Sequence, residues 1–223
     1  MCPIQVTRVR QLDLRLASWG GRRPGAGRPP ATGRRTVAHR RRAAHEARCP
    51  VHVTLRARAG LPSLRGAKTF AAVRDALGQA SRAGFRVIHF SVQADHVHLL
   101  VEADGVPAWR RGIQGLMIRI AKRLNRTLRR RGAIWADRYH ARRLATPREV
   151  RHALVYVLQN WRKHVAGSRG IDPCSSGMEF DGWRAAVRGS EEPSPPVARA
   201  RSWLARIGWR RHGLIGVEER PRR

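Results

Sequence analysis

Three short segments rich in apolar residues, the first of them alternating with polar residues, predict three β-strands. The first covers residues 50–56, the second covers 86–93, and the third covers 96–103 after a tight turn. Successive side chains of a strand point to opposite faces of a sheet. His96 and His98 therefore lie on one face of the third strand, while the apolar residues beside them face the other side and can be buried against helices.

Apolar residues recur at helical spacing in three further segments. They predict a helix over 64–83, a long helix from Pro107 to Gly132, and a last helix over 147–165, with an extended segment at 133–144. The order is strand, helix, strand, strand, helix, strand, helix. It predicts an α+β fold of the ferredoxin-like type, a split β-α-β sandwich with one antiparallel sheet and helices on one face.

The composition changes at both ends of this pattern. Residues 1–48 form a Gly/Pro/Arg-rich arm with twelve arginines and two acids, which cannot bury a core; such an arm can lie on DNA or remain a solvated basic tail. Residues 49–166 carry the periodic elements. Residues 167–223 form an irregular C-terminal extension, with a linker at 190–196 and a short amphipathic helix predicted at 197–211.

The formal net charge of +31 comes from 46 basic residues against 15 acids, and it makes nucleic acid the expected partner. Arginine can bind a phosphate group through two parallel hydrogen bonds. Six arginines of the long helix and the following segment are candidate DNA contacts: Arg119, Arg123, Arg126, Arg138, Arg142 and Arg143. The last three can equally form a solvated basic strand edge.

Apolar runs and cysteines indicate the cellular compartment. No apolar run has the length of a membrane span, and the first residues lack the apolar core of a secretion signal. Three cysteines far apart argue against a disulfide framework and a classical zinc site. We therefore expect no membrane partner and a cytoplasmic, nucleoid-associated protein.

Two short constellations can carry chemistry. The pair His96 and His98 can offer two ring nitrogens to one metal ion, although two polar residues on a solvated sheet face are the plainer interpretation. Tyr156 and Asn160 lie one turn apart on the polar flank of the last helix, away from its apolar stripe. A phenol and an amide in this position can share a metal site, or the tyrosine can simply cover a helix edge.

These residues resemble a known family. The stretch 84–101, the hexapeptide 135–140, the Tyr156-x-x-x-Asn160 spacing and the first strand at 52–56 together resemble the single-tyrosine HUH transposases. They look most like the REP-associated tyrosine transposases of the IS200-like superfamily. The resemblance covers residues 50–165. This chain departs from the family where Asp95 replaces the usual Asn, and where Trp161 follows Asn160 in place of the common Pro.

The resemblance implies a metal-dependent DNA endonuclease and strand transferase that cleaves single-stranded or hairpin DNA through a phosphotyrosine intermediate. It implies that Tyr156 is the nucleophile, that His96, His98 and Asn160 are the metal ligands, and that the ion is Mg²⁺ or Mn²⁺. Two imidazoles and an amide would by ligand type suit zinc or manganese better than magnesium. The resemblance leaves open whether the protein acts as a monomer or a homodimer.

Two other functions remain open from the sequence. His52-x-Thr54 resembles one half of the motif pair of two-histidine phosphoesterases, but His96-x-His98 does not match the other half. A catalytically silent nucleic-acid-binding protein on the same fold is the second alternative. Within that class, an RNA-recognition module would carry aromatic residues on its central strands, which this chain lacks at 96–100.

Overall fold

The computed structural model describes residues 45–82, 84–165, 167–187 and 195–221. The predicted basic arm lies outside these residues except for its last four, and most of the predicted linker lies outside them too. The main elements are β1 (Val51–Arg56), α1 (Ala67–Gly78), β2 (Phe85–Val92), β3 (His96–Ala103), α2 (Val106–Thr127), β4 (His140–Arg143) and α3 (Pro147–Gln159). None of the helices in the described part of the chain is long and apolar enough to cross a membrane.

The four strands form one antiparallel sheet in the order β2-β3-β1-β4. This order, with the element sequence βαββαβ, is the split β-α-β arrangement, so the predicted α+β antiparallel fold is confirmed. The register places Thr54 of β1 opposite His98 on one side and opposite His140 on the other. These three side chains therefore form a row across one face of the sheet.

The sheet is covered on both faces, and this corrects the prediction that all helices lie on one face. Helices α1 and α2 pack on the face that carries Val53 and Leu99. Helix α3 packs on the opposite face, against Ile88 and Leu100. The reason is that the adjacent strands β2 and β3 carry buried residues on both faces, so each face must be covered by another element.

Helix α3 begins at a capping box and ends earlier than predicted. The Thr146 hydroxyl accepts a hydrogen bond from the backbone N–H of Glu149, and the Glu149 carboxylate accepts one from the backbone of Thr146. The α-helix stops at Gln159, and a 3₁₀ turn, Asn160–Lys163, follows where the periodicity predicts helix to residue 165. Tyr156 therefore lies in the last turn of α3.

The C-terminal extension completes the core on the α3 face. Five of its aromatic and aliphatic side chains are buried there, Phe180, Trp183, Leu204, Trp209 and Ile215. The predicted helix at 197–211 is reduced to α4 (Trp203–Arg206) and a 3₁₀ turn, Gly208–His212. Its amphipathic character is present, since Leu204 and Trp209 are buried while Trp203 is half exposed.

Candidate active site

The structure brings the histidine pair and the predicted tyrosine together on the α3 face of the sheet. The rings of His96 and His98 lie 4.6 Å apart between centroids, and the Tyr156 ring lies 5.0 Å from that of His98 in an edge-on arrangement. Tyr139, the other tyrosine of the chain, packs against Trp109 in the opposite core. The contact between Tyr156 and His98 links α3 directly to β3.

Two side chains of the neighbouring strand β1 contact His98. Its Nδ1 lies 3.1 Å from Thr54 Oγ1 and 3.3 Å from His52 Nε2. The other ring nitrogen, Nε2, is buried and has no hydrogen-bond partner among the described residues. A buried polar atom without a partner is costly, so Nε2 is available for a ligand that the protein itself does not supply.

Burial keeps these histidines neutral. Burial, together with the nearby charges of His52 and His96, lowers the pKa of His98 to about 2. Burial, and then the charges of His140 and Arg142, lowers the pKa of His52 to about 4. At neutral pH both rings are therefore uncharged, which is the form of imidazole that binds a metal ion.

Asp95 orients His96, the other histidine of the pair. His96 Nδ1 lies 2.7 Å from Asp95 Oδ1, and this hydrogen bond is the main reason that the pKa of Asp95 is lowered. The residue that departs from the family pattern thus supplies a carboxylate to the outer side of His96. A carboxylate in this position fixes the ring and increases its basicity as a ligand.

Asn160 is the most unusual polar residue of the site. Its side chain is 1% exposed, and neither Oδ1 nor Nδ2 has a hydrogen-bond partner among the described residues. It begins the 3₁₀ turn one helical turn after Tyr156. Together with the free Nε2 of His98, this unsatisfied amide fits a divalent metal ion held by two imidazoles and one amide oxygen.

No group of three or more His, Cys, Asp or Glu side chains in the described part of the chain is placed to hold a metal ion. The mixed set of His96, His98 and Asn160, which includes an amide, stays the predicted donor set.

Two basic residues next to the site escaped the sequence analysis. The Lys163 Nζ lies 4.6 Å from the centroid of the Tyr156 ring, and the His164 ring lies 5.7 Å from that of His96. Lys163 is the last residue of the 3₁₀ turn, and His164 follows it. The spacing of seven residues between Tyr156 and Lys163 corresponds to two helical turns, and it is the signal that could have identified the lysine.

Only one of the six predicted DNA-binding arginines lies beside Tyr156. Arg142 shares a face with His52 and lines a cavity next to the tyrosine. The next residue, Arg143, points to the opposite face and pairs with Glu46. Arg138 is exposed just before β4.

The other three predicted contacts, Arg119, Arg123 and Arg126, belong to α2, on the far side of the sheet from Tyr156. Arg123 pairs there with Asp75. The structure therefore does not place these arginines at the same site as the tyrosine, and DNA contact through α2 stays a prediction.

The C-terminal extension holds the segment that carries Asn160. Gln159 Nε2 donates to the carbonyl of Val217 at 2.5 Å, and buried Arg162 donates to the same carbonyl at 2.9 Å. Arg162 also pairs with Glu218 at 2.8 Å. The residues on both sides of Asn160 are thus tied to the last part of the described chain, which the sequence analysis did not connect with the site.

Comparison with known proteins agrees with this fold. The model of the family described as transposase IS200-like matches residues 49–160. A solved structure of the REP-associated tyrosine transposase bound to a REP hairpin resembles the chain with a TM-score of 0.53 and 16% sequence identity, over 74% of this chain and 100% of that one. Comparison with curated proteins gives no match. At this identity the solved structure supports the fold.

Proposed function

The chain belongs to the IS200-like transposase family, and on this basis we propose that it is a DNA endonuclease and strand transferase whose nucleophile is Tyr156. One observation supports the proposal above the others. The Tyr156 ring lies against His98, whose buried Nε2 has no hydrogen-bond partner among the described residues, and the equally unsatisfied Asn160 follows one turn later. These contacts support a nucleophile and metal ligands on one face of the sheet.

The reaction that we propose is a transesterification at phosphorus. The Tyr156 phenol oxygen forms a bond to the scissile phosphorus and loses its proton, while the bond from phosphorus to the 3′ oxygen breaks and that oxygen takes up a proton. The products are a 5′-phosphotyrosine and a free 3′ hydroxyl. Attack by a 3′ hydroxyl on the phosphotyrosine reverses the step and joins DNA ends without an external energy source.

The metal ligands in this proposal are His96, His98 and Asn160, and the ion is Mg²⁺ or Mn²⁺. When bound, such an ion polarises the phosphate and offsets the charge that develops on it. The protein's own part is positional. With Nε2 of His98 directed to a ligand, Nδ1 carries the proton, and this N–H group donates a hydrogen bond to the Thr54 hydroxyl. The Lys163 ammonium beside the Tyr156 ring adds positive charge where the phosphate would lie.

The proposed substrate is single-stranded or hairpin DNA. The solved structure that resembles this chain contains a REP hairpin, and the net charge of +31 favours a polyanionic partner. We propose that the predicted arginines of α2, together with Arg138 and Arg143, contact phosphates away from the cut, which makes affinity fall steeply with salt. A homodimer and a location with the nucleoid are compatible with this function and stay predictions.

The central test is formation of a covalent protein–DNA adduct. The wild-type protein is incubated with end-labelled, hairpin-bearing single-stranded DNA and Mn²⁺, and the products are separated under denaturing conditions. We expect a labelled adduct that Tyr156→Phe abolishes, because phenylalanine lacks the attacking oxygen. Tyr139→Phe is the matched control: it removes the chain's other phenol, which lies in the opposite core, and it should keep the adduct.

The outcomes separate the alternative functions. An adduct that persists in Tyr156→Phe would contradict the assignment of the nucleophile. Cleavage that needs neither metal nor Tyr156 would favour the two-histidine phosphoesterase. Tight binding without cleavage in any divalent ion would favour the silent nucleic-acid-binding protein.

A further inference from the structure

A cavity of about 480 Å³ lies beside Tyr156 on the side of β4, and neither histidine of the pair on β3 lines it. Strands β1 and β4 contribute to its lining, as do the first half of α3 and residues 219–221 of the extension. We call it the β4 pocket. Of its lining residues, Tyr156 is the one that the proposed reaction makes covalent with DNA, so DNA attached to Tyr156 lies next to this pocket.

Flat rings make up much of its lining. The imidazoles of His52, His140 and His152 and the phenol of Tyr156 line the cavity, and Leu144 adds apolar surface. Flat aromatic and heteroaromatic side chains are the surfaces on which nucleic-acid bases stack, and they do so with little dependence on the base. The volume lies within the range of small-ligand sites, which is about 300–1,000 Å³.

Two of the three arginines that line the pocket are paired with carboxylates. Arg142 contacts Glu149 at 3.0 Å, and Arg151 contacts the Glu219 carboxylate at 2.7 Å, whereas Arg220 is exposed. The edge of a base carries both donors and acceptors, which guanidinium and carboxylate groups side by side can match. The rings and these two ion pairs therefore favour a base in the pocket, with Arg220 as its one exposed arginine that no carboxylate of the lining neutralises.

We propose that the β4 pocket holds the base of one unpaired nucleotide next to the scissile phosphate. The inference rests on the proposed function, because it takes Tyr156 as the point to which the DNA is attached. It adds to that function a place where the enzyme holds a nucleotide outside any duplex. Binding of this nucleotide keeps the strand beside the nucleophile before and after the cut.

The test measures DNA binding without cleavage. The probe is the tightest-binding DNA hairpin from a pool with randomised single-stranded tails, and a series of its derivatives each carries one abasic residue at a tail position. Affinities are measured in EDTA for the wild type, Arg142→Ala, His140→Ala and the control Arg143→Ala. Arg142 and Arg143 are adjacent, both are paired with a glutamate, and they point to opposite faces of the sheet.

We expect one abasic position to weaken binding to the wild type by about fivefold or more, the loss that one stacked base typically causes. In Arg142→Ala and in His140→Ala this penalty should shrink towards onefold, because the base contact is already lost. In Arg143→Ala every probe should bind more weakly by the same factor, and the abasic penalty should persist. Both pocket variants change exposed side chains, so thermal unfolding can verify that they fold.

The inference is overturned if no tail position is sensitive to base removal, or if the penalty is the same in all four proteins. The second result would mean that the base is read elsewhere and that Arg142 acts only through its charge. Failure here is distinguishable from failure of the proposed function. The affinities are measured in EDTA, whereas the covalent adduct is measured separately in Mn²⁺ and depends on Tyr156.

Discussion

The support of His98 by β1 leads to a quantitative prediction. Thr54→Val replaces a hydroxyl by a methyl group of similar size and removes the 3.1 Å contact with His98 Nδ1. The ring then keeps only the 3.3 Å contact with His52 Nε2. We expect the imidazole to lose part of its fixed orientation, so that Nε2 binds a metal ion more weakly while the fold is unchanged.

The size of the effect follows from the contacts. One hydrogen bond between neutral groups contributes about 0.5–1.5 kcal/mol net, which corresponds to roughly 2- to 13-fold in affinity. Loss of a group that orients a metal ligand typically costs about 10–100-fold. Because His52 still contacts Nδ1, Thr54→Val should lie near tenfold. The double variant Thr54→Val/His52→Phe removes both contacts and should approach a hundredfold.

The assay is calorimetric titration with Mn²⁺, combined with the rate of adduct formation at saturating DNA. Thr54→Ser keeps the hydroxyl and is the matched control, so it should bind Mn²⁺ like the wild type. The rate should fall in parallel with metal affinity and recover at high Mn²⁺. Wild-type Mn²⁺ affinity in the double variant, with an unchanged melting temperature, would refute the reasoning that β1 positions His98 as a ligand.

Three further predictions concern stability. Gly112→Ala places a Cβ inside the ring of Phe85 and should lower the free energy of unfolding in urea by about 1–3 kcal/mol. Gly115→Ala has open space around its Cβ and should raise that free energy by about 0.5–1 kcal/mol. Equal effects of the two variants would contradict the packing of α2 on β2. Arg162→Met removes the side-chain donor to the part-buried carbonyls of Ser168 and Gly170, and leaves Val217 with Gln159 alone. It should cost about 2 kcal/mol, so an unchanged unfolding midpoint would refute that role. Burial lowers the pKa of His89 from 6.5 to about 4, so the unfolded chain takes up the proton first and the free energy of unfolding decreases as the pH falls from 6.5 to 4. His89→Gln should lose less unfolding free energy over this pH range than the wild type, by on the order of 1–3 kcal/mol. Identical pH profiles of the two proteins would contradict this role of His89.

The local patterns of the sequence predict the strands of the sheet well. The bounds of β1, β2 and β3 agree with the predicted segments to within one residue, because half-buried and buried strands have strong apolar signals over a short length. β4 is only four residues long and mostly exposed, so its apolar signal is weak. The pattern there predicts only that residues 133–144 are extended, and cannot show which of them pair with β1.

The candidate site was predictable where spacing alone determines position. Alternation places His96 and His98 on one face of β3, and the helical repeat places Tyr156 off the apolar stripe of α3. The helical repeat could not predict that α3 covers the face of the sheet that carries the histidines, since this depends on which face of the sheet the other helices leave uncovered. It also predicts Asn160 on a polar flank, whereas the change to a 3₁₀ turn buries it completely.

The parts of the chain that secure the tyrosine lie largely outside the segment that the family model matches. That segment ends at residue 160, yet Gln159 and Arg162 both donate to the carbonyl of Val217, and Arg151 pairs with Glu219. The extension therefore holds α3 both before and after Tyr156. The proposed nucleophile must be held to within about 0.5 Å of its productive position, and these contacts add to the packing of α3 on β2 and β3. The placement of Tyr156 over β3 is thus a property of the whole region from β1 to the extension.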